Sequence, residues 1–168
     1  MIISISGTSC VGKTTMAEML QDEGYPVITP SASRLASGRK FPTMEAKDHF
    51  IYETAHRQLV DAQARAQASK KPVFLDRSQF DNWTFRLVFG GDLSYEHLLL
   101  QDIEALGFVW ILDPADVTFK GDGVRPEDAK KLRQWYQLML SKAEELSLPH
   151  AVLSGTPSQR LSRILRHL

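Results

Sequence analysis

Eight residues near the amino terminus have the types and spacing to hold a phosphate chain. Gly7-Thr8-Ser9-Cys10-Val11-Gly12-Lys13-Thr14 reads G-x-x-x-x-G-K-T. A chain of phosphates carries several negative charges on closely spaced oxygens. Glycines at both ends let the main chain wrap close to it, with the loop N–H groups turned inward. A helix leaving the loop adds its unpaired N–H groups and the positive end of its dipole. Lys13 has the charge and reach for the terminal phosphates, and the Thr14 hydroxyl is placed to ligate Mg²⁺. Thr15 continues the same turn. Cys10 is either a small residue tolerated in the loop or a redox-sensitive thiol next to a helix start.

Asp76-Arg77-Ser78 is the second constellation. A carboxylate at a strand end beside such a loop can hold Mg²⁺, directly or through water, or accept the proton of a hydroxyl acceptor. Arg77 can grip phosphate oxygens with its planar fork. A third stretch, about residues 114–126, leaves a strand as a loop with two glycines and carries Lys120 and Arg125. Cations on a short lid suit closure over a nucleotide and exclusion of water. Arg133 lies two turns into the following helix. The segment after the second strand offers Arg34, Arg39 and Lys40 for an acceptor's phosphate, in a Ser/Ala/Gly-rich loop. Among Phe50, Tyr52, Phe80, Trp83 and Phe85, a ring such as Trp83 could stack on an acceptor base, although spacing favours core packing for most of them.

These groups need a scaffold that brings strand ends together. Apolar β-branched runs alternate with helical patterns, which predicts a three-layer α/β domain with a five-stranded parallel sheet. The strands are expected at Met1–Ser6, Tyr25–Thr29, Pro72–Asp76, Phe108–Leu112 and Ala151–Leu153. Helices are expected at Thr14–Glu23, Pro42–Ser69, Phe80–Val88, Ser94–Leu106, Pro126–Leu146 and Ser158–Leu168. In a parallel sheet ligands sit beyond the carboxyl ends of the strands, where the residues named above fall.

The chain has 168 residues, consistent with one domain spanning residues 1–168 and a core stable without staples. Twenty basic and twenty acidic residues cancel, which argues against a general nucleic-acid coat or a polybasic membrane binder. The single cysteine rules out an internal disulfide. With no signal-peptide pattern and no apolar run near eighteen residues, a cytoplasmic protein with no membrane partner is expected.

The order of these motifs resembles the P-loop kinases of nucleosides and nucleotides. Asp76-Arg77 is similar to the pair in thymidylate kinases, and Asp76-Arg77-Ser78 to the Glu-Arg-Ser of deoxynucleoside kinases. Asp122-Gly123-Val124-Arg125 resembles the lid of small kinases related to the ribosylnicotinamide kinase domain. The resemblance implies the P-loop NTPase fold, and an adenine site at Gly155 and Thr156 after the fifth strand. Two departures stand out: the lid has few arginines, and the segment from Pro30 to Lys40 lacks the acidic residue of deoxynucleoside kinases. The expectation is therefore an ATP-dependent kinase with Mg²⁺. Lys13, Asp76, Arg77 and Arg125 would be catalytic, Thr14 and Asp76 would hold metal, and Lys120 would join the loop in binding ATP. A nucleoside or nucleotide acceptor comes first. A DNA or RNA acceptor, including a hydroxymethylated base, comes second. A regulatory ATPase or nucleotide switch is the rival outside transfer chemistry. ATP against GTP, and a homodimer, stay open.

Overall fold

The computed structural model describes residues 1–115 and 128–168. Lys120, Arg125 and nearly all of the expected lid lie outside the described residues. Strand β1 (Ile2–Ser6) runs through the middle of a parallel sheet that also holds β2 (Val27–Ile28), β3 (Val73–Asp76), β4 (Phe108–Leu112) and β5 (His150–Leu153). The spatial order is β2-β3-β1-β4-β5. Ile5 sits in register with Asp76 on one side and with Trp110 on the other. That register carries the ends of β1 and β3 out to the same level.

Seven helices among the described residues cover the sheet: α1 (Lys13–Asp22), α2 (Ala32–Ser37), α3 (Met44–Ser69), α4 (Gln79–Phe89), α5 (Glu96–Glu104), α6 (Ala129–Glu145) and α7 (Pro157–His167). Successive strand side chains point to opposite faces, so the sheet feeds two cores. Ile3, Ile5, Phe74, Trp110 and Leu112 pack with Met16 and Leu20 of α1 and Ile164 of α7. Ile2, Val73, Leu75, Val109 and Ile111 pack with Leu59 of α3, Phe80 of α4, Ile103 of α5 and Trp135 of α6. All five residues of β1 are buried, as expected of a central strand covered on both faces.

Local chemistry sets the helix starts. The Thr43 hydroxyl accepts the Ala46 N–H at 3.1 Å and opens α3. Ser78 and Asp81 form a capping box at the start of α4, and Thr156 with Gln159 forms another at α7, where Pro157 takes the first turn. One element differs from expectation. Residues 32–37 form α2 rather than a loop, because Ala32 and Ala36 lie one turn apart and both bury. No helix among the described residues is long and apolar enough to cross a membrane.

Candidate active site

The phosphate loop joins β1 to α1 through backbone that few side chains tolerate. Gly7 has φ 147°, and a Cβ there would lie 2.9 Å from Val11 Cγ2. Cys10 has φ 63° and Gly12, the residue before α1, has φ 92°. Positive φ at these three positions breaks the regular run of the backbone and lets loop N–H groups turn to one side, the geometry of an anion cradle. Lys13 is buried and folds back over its own loop. Its Nζ donates to Gly7 O at 2.9 Å and to Thr8 O.

Asp76, at the end of β3, is buried to 4% exposure. Burial pushes its carboxyl above the usual range, and the charges of Arg77 and Lys13 work against that rise. Arg77 adopts φ 70°, donates its N–H to Ile5 O at 3.1 Å and lays its guanidinium 5.4 Å from the centre of the Trp135 ring. Cys10 to Thr15, Asp76, Arg77 and Arg34 line one small cavity of about 220 Å³.

A larger cavity of about 740 Å³ opens beside it. Thr14, Arg34 and Arg77 belong to both walls. The larger cavity reaches Lys47 and Asp48 of α3, Asn82, Phe85 and Arg86 of α4, and Trp135 of α6. A third cavity, about 630 Å³, runs from Cys10 and Gly12 to Gly155, Thr156 and Arg160. Arg133 lines a fourth with Thr8, Ser9, Asp113 and Tyr136.

The expected site residues are therefore divided. The loop, Asp76, Arg77 and Arg34 come together, and Gly155 and Thr156 face the loop from β5. Arg39 and Lys40 line none of these cavities; the Arg39 guanidinium instead sits 4.6 Å over the Phe50 ring. Trp83 also lies away from them. It is buried in the core, where its indole N–H donates to Glu96 at 2.6 Å. Phe85 is the α4 ring that reaches the larger cavity.

Two residues that the motifs did not disclose tie the site together. Asp81 is nearly inaccessible; it accepts the Ser6 hydroxyl at 2.7 Å, the Gly7 N–H at 3.2 Å and the Ser78 N–H at 3.2 Å. Arg77 donates to it at 3.4 Å. Arg160, on α7, donates to Val11 O at 2.7 Å and to Asp113 O at 2.9 Å. The only sequence trace of Asp81 is its place as third helical residue after Ser78, the capping-box spacing. Arg160 leaves none, since an arginine on an amphipathic helix reads as a surface charge.

A phosphate loop at the carboxyl end of the central strand of a three-layer parallel sheet defines a P-loop nucleotide-binding architecture. Residues 2–160 match the model of the AAA domain family, and the chain belongs to that family. No curated protein matches it in sequence. Solved structures with the same fold include the NadR protein in complex with NR, at 16% identity and TM-score 0.67, covering 97% of this chain and 49% of that one. This chain thus spans about half of NadR. Thymidylate kinase from Ehrlichia chaffeensis aligns at 14% identity and TM-score 0.68, covering 99% of this chain and 97% of that one. Deoxyadenosine kinase from M. mycoides with dCMP and dCDP bound aligns at 13% identity and TM-score 0.57, covering 99% and 98%.

Proposed function

We propose that the protein is an ATP-dependent phosphotransferase that moves a γ-phosphoryl group to a nucleoside or nucleotide. What supports this reading above all is the shared wall. Thr14, Arg34 and Arg77 border both the loop cavity and the larger cavity beside it, so a donor phosphate and an acceptor could meet across them. A nucleotide switch needs only the first of these cavities.

In this reading the loop N–H groups and Lys13 hold the phosphates of ATP, with the base toward Gly155 and Thr156. Lys13 exchanges its contacts with Gly7 O and Thr8 O for phosphate oxygens, which costs little because one set of charged hydrogen bonds replaces another. Thr14, which bears a hydroxyl, and Asp76, which bears a carboxylate, line the same cavity. That is a hard-oxygen pair that fits Mg²⁺ retaining its water and phosphate ligands. Magnesium, when bound, would neutralise charge on the transferred group. Asp76 orients the attacking hydroxyl or a water, and Arg77 steadies phosphate oxygens from below. In-line transfer then depends on positioning and electrostatics rather than on a covalent enzyme intermediate. Lys120 and Arg125 are proposed to complete the charge as a lid.

A polynucleotide acceptor has less support, because the basic stretch is split: Arg34 faces the cavity while Arg39 stacks on Phe50. A labelled-phosphate screen over nucleosides, monophosphates and DNA oligomers tests the reading. Transfer to a small acceptor is expected. Brisk ATP hydrolysis that no acceptor alters would overturn it. Transfer to DNA alone, falling steeply with salt, would move the assignment to a strand.

A further inference from the structure

The end of the larger cavity away from the phosphate loop is polar in an unusual way. Arg86, on α4, lines it and is 3% exposed. Its Nη2 donates to the main-chain oxygen of Asp48 at 2.8 Å, and the guanidinium lies 5.0 Å over the Tyr95 ring. Among the described residues its Nη1 is buried with no hydrogen-bond acceptor in good geometry, and the neighbouring Tyr95 hydroxyl is likewise buried and unsatisfied. A buried guanidinium N–H without a partner carries its full desolvation cost, which an incoming oxygen would relieve.

The charge around Arg86 narrows what that oxygen belongs to. The Asp48 carboxylate is also buried and accepts the Asp92 N–H at 3.0 Å. A Cβ placed on Gly91 would lie 2.8 Å from Arg86 Cγ and 3.0 Å from Asp48 Oδ2, so both side chains border one point. The Asp48 carboxylate therefore stands near the Arg86 side chain, and a negative ligand at this end would meet that carboxylate as well as the guanidinium. A phosphate would gain little there. Met44, Ile51, Phe85 and Trp135 supply apolar and aromatic walls. Those walls suit a planar neutral ring.

We infer that Arg86 Nη1 donates to a ring carbonyl of the acceptor's base, so that the protein selects oxopurine or oxopyrimidine nucleosides over bases that lack a carbonyl. The inference rests on the larger cavity being the acceptor site.

Calorimetric binding to the unmodified protein tests it with inosine, uridine and purine riboside. Inosine or uridine should bind about 10- to 100-fold more tightly than purine riboside, the scale of a hydrogen bond to a charged donor. Arg86→Met should shrink that ratio to within about threefold, and Arg86→Lys should recover part of it. Purine riboside binding as tightly as the better carbonyl compound would overturn the inference. So would no binding by any of the three, or an undiminished ratio in a folded Arg86→Met protein. The comparison on the unmodified protein stands even if that variant fails to fold. Carbonyl-dependent binding with no phosphoryl transfer would sink the kinase reading alone. Transfer without carbonyl preference would sink this inference alone.

Discussion

Asp81 accepts the main-chain N–H of Gly7 at 3.2 Å, across 74 residues of sequence. The same carboxylate closes the capping box of α4. One side chain therefore sets where the helix behind Arg77 begins and where the phosphate loop departs from β1. Asp81→Ala should lose a cap and several charge-assisted hydrogen bonds at once, about 2–4 kcal/mol of stability. Denaturant unfolding would measure it, and a loss under about 0.5 kcal/mol would show the network to be dispensable. Asp81→Asn should cost less, because it keeps the cap's shape while losing the charge.

Turnover should fall at least ~100-fold in Lys13→Ala and in Asp76→Ala, on the scale of removing one electrostatic contact to a developing charge. Steady-state rates with saturating ATP and an acceptor from the screen provide the check. Undiminished transfer in both variants would reject the assigned roles.

Asp76 also predicts an opposition between stability and activity. Its pKa is raised above the ordinary 3.8 by burial, so the folded chain holds that proton more tightly than the unfolded chain does. The ionised side chain therefore costs stability. The cost is absent below the unfolded value, grows as pH rises from there through the folded pKa, and is complete above it. Asp76→Asn should raise the melting temperature at neutral pH by about 2–4 °C per kcal/mol relieved, with the gain vanishing in acid. A melting temperature at pH 7 lower than that of the parent would contradict this.

Arg160→Met should weaken nucleotide binding without touching the phosphates itself. The variant frees Val11 O and Asp113 O from two short hydrogen bonds and leaves both loops less restrained. A rise in KM for ATP of roughly tenfold, with a smaller change in kcat, is expected from a lost charged hydrogen bond. Equal falls in kcat and kcat/KM would instead place Arg160 in the transition state.

The sheet and the loop were legible in the sequence because their signals are local. A β-branched strand, eight residues at fixed spacing and a helix follow one another with no help from elsewhere. Arg86, Asp81 and Arg160 were not legible, because each acts on main chain 38, 74 and 149 residues away. Only the folded topology brings those partners near. The basic stretch after β2 misled in a different way. Arg34 and Arg39 look alike in sequence, yet α2 turns one toward the cavity and leaves the other beyond its carboxyl end, against Phe50. Trp83 shows a related ambiguity. On α4 it lies two residues from Phe85, and helical rotation puts one in the core and the other at the cavity.

Cys10, the chain's sole thiol, stands in the partition between the loop cavity and the cavity leading to Gly155. A maleimide dye would thus attach at one defined address without any prior removal of cysteines. Nucleotide bound on either side would shield that thiol, so slower labelling in its presence would report occupancy before any acceptor is known.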